Sequence, residues 1–210
     1  MICLFGGTFD PVHCGHLHAA IQVCEALRID ELRLVLSARP THRGGPGATI
    51  AHRWEMLQLA CDDDRRLIAD DLEIRRDGPS FTVSTLTTLK AQQPAETLVW
   101  VIGSDAYRLL PQWYEWQKMG SLANIVVLQR PGHGLEMNAD LRAFTAERQV
   151  DTLQESSVGR VLLLDNEMQS ISARQIRSIV AAGGCTDHLL PAAVATYISH
   201  HGLYGGISDP

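Results

Sequence analysis

The chain has 210 residues, 45% of them hydrophobic and 20% charged, with 18 Lys and Arg against 24 Asp and Glu for a formal charge of -6. At about 150 residues per domain this is roughly one domain, long enough to bury a core without disulfide staples. The acidic balance argues against general binding to nucleic acid or anionic membrane, the composition argues against a disordered chain, and no run approaches the roughly 20 apolar residues of a membrane span.

The opening Met1-Ile2-Cys3-Leu4-Phe5 has no basic segment ahead of it, so it does not read as an export signal and the expected location is the cytoplasm. Five cysteines (Cys3, Cys14, Cys24, Cys61, Cys185) are odd in number and form no C-x-x-C pair, which predicts free thiols and no zinc site.

Short apolar runs alternate with helical patterns along the chain. Met1–Phe5 reads as a buried strand entering Gly6-Gly7, and His16–Leu27 as a helix with Leu17, Ala20, Ile21, Cys24 and Leu27 on one face. Leu32–Leu36 is a second strand, followed by a Gly- and Pro-rich loop over Ala38–Thr49 and a helix over Ala51–Cys61. Leu67–Ile74 reads as extended, and Ser80 or Thr82 caps a helix running to about Ala91. Leu98–Ile102 is a strand, Ser104–Leu110 a short helix stopped by Pro111, Asn124–Leu128 a strand and Val161–Leu164 another. Met137–Leu153 is polar and weakly periodic and gives no definite element. Ser172–Ala182 is a helix closed by Gly183-Gly184, and Pro191–His200 a last helix with Pro in its first turn. Strands without polar alternation, separated by helices, predict an α/β fold: a doubly wound, Rossmann-like parallel sheet with helices on both faces, whose ligands bind at the carboxyl ends of the strands.

The densest chemical signal is Gly6-Gly7-Thr8-Phe9-Asp10-Pro11-Val12-His13-Cys14-Gly15-His16, between a strand and a helix. The glycines let backbone approach a ligand, and the N–H groups around Gly7, Thr8 and Phe9, with the helix N-terminus, form a phosphate cradle. His13 and His16 then face the same space and can donate to phosphate oxygens and to charge building on a leaving group. The segment is neither a dinucleotide fingerprint nor a P-loop. A His-x-x-His metal site lacks a third ligand at typical spacing, and a glycine turn with two surface histidines is the bland alternative.

This segment resembles the G-G-x-F-D-P-x-H-x-G-H signature of the nucleotidyltransferase superfamily, and the chain from Leu4 to Tyr204 is similar to its bacterial nicotinate-nucleotide adenylyltransferase family. Ser170-Ile171-Ser172-Ala173-Arg174-Gln175-Ile176-Arg177 resembles the family's I-S-x-T-x-x-R, with Arg174 where Thr is usual. Ser172 at a helix N-cap suits an anion, and Arg177 has the fixed charge and planar fork that match a polyphosphate; a plain capped helix with a surface arginine is the alternative. Val101-Ile102-Gly103-Ser104-Asp105 and the downstream Trp113 resemble I-G-x-D and its Trp. A carboxylate at Asp105 can accept from ribose hydroxyls, or simply cap a helix. Trp113, in Pro111-Gln112-Trp113-Tyr114-Glu115-Trp116, could be core packing; the resemblance makes it the partner of a pyridine ring. Pro79-Ser80-Phe81-Thr82 resembles P-S-[YF]-T, Pro40-Thr41-His42-Arg43 resembles P-P-H-[KR] with Thr41 in place of Pro, and Arg130 follows a strand.

The resemblance implies transfer of AMP from ATP to nicotinate mononucleotide, giving nicotinate adenine dinucleotide and pyrophosphate. It implies His13, His16 and Arg177 as catalytic residues, and an ATP site of Gly6, Gly7, Thr8, Phe9, His13, His16, Gly103, Asp105, Ser172 and Arg177. The mononucleotide site would be His42, Arg43, Thr82, Trp113 and Arg130. Mg²⁺ is expected to enter with ATP, which needs few protein ligands. The expected domain is a single one over residues 1–210, its C-terminal helices (about 172–204) completing the ATP site. The alternatives are an enzyme of the same fold acting on nicotinamide mononucleotide, phosphopantetheine or a cytidylyl acceptor, and a non-catalytic nucleotide-binding module. Homo-oligomers are compatible with the sequence. Glycine-rich Arg43–Ala48 is expected to close on ligand, and His188, His200 and His201 are expected to be surface or packing residues.

Overall fold

The computed structural model describes residues 1–41, 45–129, 135–154, 156–165 and 171–205. In chain order these form β1 (Ile2–Gly7), α1 (Cys14–Leu27), β2 (Leu32–Leu36), α2 (Ile50–Cys61), β3 (Leu67–Asp70), α3 (Leu72–Arg75), α4 (Thr82–Gln92), β4 (Leu98–Gly103) and α5 (Ser104–Arg108). Then follow α6 (Met119–Leu122), β5 (Asn124–Gln129), α7 (Ala139–Arg148), β6 (Gln149–Val150), β7 (Val161–Asp165), α8 (Ala173–Ala181) and α9 (Ala192–His200). One seven-stranded sheet has the order β3-β2-β1-β4-β5-β7-β6, and every pairing in it is parallel. This is the doubly wound α/β architecture, with its switch point between β1 and β4.

The strands sort their side chains by the two-residue period. Val99, Val101, Val126 and Leu128 join Cys3 and Leu34 in a cluster with Ala20 and Val23 of α1, Met56 and Leu57 of α2, Ile176 of α8 and Val194 of α9. Leu4, Trp100, Ile102, Ile125 and Val127 point the other way, to Leu86 of α4, Tyr107 of α5, Met119 of α6 and Phe144 of α7. Both faces are apolar, which is why the strands read as continuous hydrophobic runs.

Several expectations are corrected. The buried stripe of α1 is Ala19, Ala20, Val23 and Cys24, about one position round from the predicted face, with Leu17, Ile21 and Leu27 at its margin. Residues 67–74 are not extended throughout: the Asp70 carboxylate accepts from Leu72 N–H at 2.8 Å and turns the chain into α3, because Asp readily offers this local alternative to strand pairing. The short helix expected to run to Leu110 and stop at Pro111 ends at Arg108, and Pro111 lies within a following 3₁₀ turn, Leu110–Gln112. The polar stretch with no predicted element contains α7, capped by the Asn138 side chain accepting from Leu141 N–H, and the short edge strand β6. Leu141, Phe144 and Thr145 are its buried residues, too few for a clear period. Neither Ser80 nor Thr82 is the cap of α4. Phe81 is, with no side-chain cap bond, while Ser80 Oγ accepts from Arg39 N–H.

Candidate active site

A cavity of about 790 Å³ opens at the carboxyl ends of β1, β2 and β4, where a doubly wound sheet is expected to take its ligand. Gly6, Gly7, Thr8, His16, Thr82, Gly103, Asp105 and Trp113 all line it, so eight of the residues singled out from sequence converge on one space. Its volume is in the range of sites that enclose most of a small ligand.

The β1–α1 turn is shaped by aromatic packing as much as by any ligand. A Cβ on Gly6 would collide with the Trp100 ring, and one on Gly7 would come to 2.7 Å from the Phe9 ring. These glycines therefore have a packing reason beside the expected one, room for a ligand: protein side chains fill the space where a Cβ would go. Phe9 is buried at 2% exposure, packed edge-on to Phe5 and His16, and has φ +46°. Its side chain is core, so only its backbone can serve a ligand. Among the described residues no backbone acceptor engages the N–H groups of Thr8 and Phe9.

His16 presents its ring to the cavity with His13 stacked behind it, centroids 3.6 Å apart and planes 20° apart. The N–H of His13 donates to His16 Nδ1 at 3.3 Å, which requires the proton of neutral His16 to sit on Nε2. His13 Nδ1 is buried without a partner. Burial lowers the His13 pKa to about 4, and burial followed by the charge of His13 holds His16 well below the ordinary imidazole value. Both rings are neutral at pH 7, which leaves His16 a single side-chain N–H, on Nε2, to donate.

The low value for His13 gives a pH prediction. The unfolded chain takes up a proton near pH 6.5 that the folded chain refuses until about pH 4. The unfolded state then binds more protons, so stability is full above pH 6.5 and falls as pH drops towards 4. The loss reaches about 3 kcal/mol for His13. Urea unfolding at a series of pH values checks this against His13→Asn: the variant should lose part of the acid slope, and identical slopes would refute the linkage.

The remaining predicted residues are placed as follows. Asp105 is exposed, lines the cavity and pairs with Arg108 at 2.8 Å. Of the three neighbouring aromatics, Trp113 faces the cavity, Trp116 is buried against Phe144, and exposed Tyr114 stacks on Phe81 at 4.6 Å. Ser172 caps α8, accepting from Gln175 N–H at 3.2 Å. Neither Ser172 nor Arg177 lines the cavity. Arg177 Nη1 instead donates to the Asp10 carbonyl at 2.6 Å and lies 3.4 Å from the Asp10 carboxylate. His200 and His201 cluster with Tyr197 and His52, whose Nδ1 lies 2.9 Å from the Tyr197 hydroxyl. His42, Arg43 and Arg130 lie outside the described residues.

Two polar residues went unread in the sequence. Asp10, 5% exposed, accepts from the N–H groups of Gly47 and Ala48 and from the Tyr204 hydroxyl, besides holding Arg177. It stands inside the quoted signature, but nothing local marks its partners, which are 37 to 194 positions away. Arg53, 1% exposed, donates to the carbonyls of Ala48, Thr8, Ser37 and Ala38. A signal for it existed: Arg53, Met56, Leu57 and Ala60 fall at i, i+3, i+4 and i+7 on the buried stripe of α2.

Residues 4–179 match the family model described as cytidylyltransferase-like. This chain belongs to the cytidylyltransferase-like family. Its relatives carry the name probable nicotinate-nucleotide adenylyltransferase: that of Hydrogenovibrio crunogenus is 38% identical over 97% of this chain and 97% of the relative, and that of Marinobacter nauticus 41% identical over 98% and 97%. The same fold occurs in Plasmodium falciparum nicotinic acid mononucleotide adenylyltransferase solved in complex with NaAD. There the TM-score is 0.75 at 19% identity, covering 97% of this chain and 96% of the other. The glycine turn, the paired histidines and the switch-point cavity are thus features of a cytidylyltransferase-like protein.

Proposed function

We infer that this chain transfers the adenylyl group of ATP to nicotinate mononucleotide, forming nicotinate adenine dinucleotide and releasing pyrophosphate. The observation that carries the reading is the convergence of the β1–α1 turn, His16, the α4 N-terminus and Trp113 on one cavity. The relatives' names support it.

An oxygen of the mononucleotide phosphate attacks the α-phosphorus of ATP, and the bond from that phosphorus to the bridging oxygen of pyrophosphate breaks. The attacking phosphate, with a second pKa near 6, is largely dianionic at pH 7 and needs no general base. The protein's task is alignment for in-line attack and stabilisation of the departing charge. Neutral His16 donates through Nε2, the backbone of Thr8 and Phe9 supplies further N–H groups, and His13 fixes the His16 tautomer. Arg177, Ser172 and Asp105 are assigned to the same nucleotide, with Asp105 on the ribose. Mg²⁺ would enter with ATP and neutralise phosphate charge, since it keeps several waters and needs few protein ligands. Trp113 offers a flat face to a cationic pyridinium.

The acid is preferred to the amide because α4 begins without a side-chain cap, leaving free N–H groups at Thr82 on the cavity wall. Charge-assisted hydrogen bonds are about twice as strong as neutral ones, so kcat/KM should favour nicotinate over nicotinamide mononucleotide by about 10-fold or more. One observation favours the second reading, an amide substrate. Glu73 Oε2 is buried on the cavity wall without a partner, and an amide N–H could donate to it. Pyrophosphate release with ATP, Mg²⁺ and each acceptor decides between them. Turnover with the acid supports the proposal, preference for the amide transfers it to the second reading, and no release with either refutes adenylyl transfer to a pyridine mononucleotide.

A further inference from the structure

We propose that Arg53 is a positioning residue for the polyphosphate of the nucleotide, acting from beneath the site through the main chain. The inference rests on the adenylyl-transfer reading above.

Arg53 stands in the first turns of α2, buried on the side of the sheet away from α4. Its Nη1 donates to Thr8 O at 2.9 Å and Ser37 O at 2.7 Å, its Nη2 to Ala38 O at 3.0 Å, and its Nε to Ala48 O at 3.3 Å. These carbonyls belong to the ends of β1 and β2 and to the start of α2. Thr8 and Ser37 also line the cavity. Among the described residues no carboxylate forms a salt bridge with Arg53; its hydrogen bonds go to carbonyls, and the Asp10 carboxylate is near enough to favour its charge without touching it. Such burial is costly, and a side chain that only filled volume would do better as a hydrocarbon.

Two physical consequences follow from the geometry. In a trans peptide the C=O and N–H point to opposite sides. Drawing the Thr8 carbonyl inward to Arg53 therefore aims the Phe9 N–H outward, and that N–H has no backbone acceptor among the described residues. Carbonyls at the carboxyl edge of a parallel sheet also present negative dipole ends to the place where an anion must sit. Arg53 occupies three of them, those of Thr8, Ser37 and Ala38, and adds a unit positive charge below the turn. The fork matters as much as the charge, because a lysine ammonium cannot span four separated carbonyls.

The test uses the full chain with Arg53→Lys and Arg53→Met. Steady-state kinetics are measured against ATP and against nicotinate mononucleotide, together with the rise in Tm that saturating ATP or mononucleotide produces over each variant's own baseline. Arg53→Lys should raise KM for ATP by about 10-fold or more and shrink the ATP-induced rise in Tm. KM for the mononucleotide and its own Tm rise should stay within about 2-fold. A merely structural role would lower the basal Tm while leaving both ligand responses intact or weakening them equally, and either result overturns the proposal. If Arg53→Met does not fold, Arg53→Lys carries the test. If neither folds, Thr8→Gly in the native background decides, since loosening the peptide that Arg53 holds should weaken ATP selectively and an unchanged ATP response overturns the proposal. Absence of any ATP-induced Tm rise in the unmodified chain would instead overturn the adenylyl-transfer reading.

Discussion

His16→Ala lowers kcat by about 10²-fold or more and leaves the fold intact, an effect of the size seen when one preorganised donor to a developing oxyanion is lost. The expectation is specific to this ring. His13 N–H donates to its Nδ1, so the remaining Nε2–H is fixed in place before substrate arrives. Phe5 and Phe9 pack edge-on against it and His13 stacks on its face, which hold its orientation without further hydrogen bonds. A donor held this way costs little reorganisation as charge develops on the leaving group. His16→Gln retains a donor without the ring's fixed geometry and should fall between alanine and the native residue. The check is kcat at saturating ATP and mononucleotide, with circular dichroism and Tm to establish folding. A folded His16→Ala protein with near-native turnover would remove His16 from the catalytic set.

Asp10→Ala destabilises the chain by about 2–4 kcal/mol, because buried donors lose their acceptor at about 1–3 kcal/mol each, partly relieved by relaxation. Its carboxylate joins three parts of the chain that are remote in sequence. Oδ2 accepts from Gly47 N–H at 2.7 Å, and Oδ1 accepts from Ala48 N–H at 3.0 Å and from the Tyr204 hydroxyl at 2.8 Å. Arg177 adds the charge pair. Truncation leaves two peptide donors and a phenol without their acceptor, and removes the counter-charge of a partly exposed guanidinium that keeps the Asp10 carbonyl. Consistent with that coupling, burial and the hydrogen bond to Asp10 push the Tyr204 phenol above its ordinary value. Asp10→Asn keeps the shape and part of the acceptor capacity and should cost less. Urea midpoints at pH 7 measure both, and a loss below about 1 kcal/mol for the alanine variant would show that the latch contributes little.

The same latch explains why Arg177 stands where it does. The motif around Ser172 predicted an arginine directed at phosphate, and the structure instead places that guanidinium on the main chain and carboxylate of Asp10. The two ideas are compatible in one respect: Asp10 adjoins the turn that carries Thr8 and Phe9, so the charge is already beside the proposed polyphosphate site. The chain leading into α8 meets the first turn of α1 closely, with Ile171 Cβ 3.5 Å from where a Gly15 side chain would begin.

The sequence by itself determined six of the seven strands, the parallel two-faced sheet and eight of the residues lining the cavity. Each of these depends on local pattern: continuous apolar runs for doubly buried strands, glycines and histidines clustered within one turn, an aromatic after a strand end. Only the tertiary structure decided what holds that turn. Arg53 and Asp10 act through partners far along the chain, and whether a charged side chain is buried on carbonyls or solvated on a helix surface depends on what the fold brings over it. The glycines make the point in reverse. Their need was legible, but a second reason for it, the Trp100 and Phe9 rings beside Gly6 and Gly7, lies in packing between β1, β4 and the turn, and side-chain packing is fixed only when the sheet assembles.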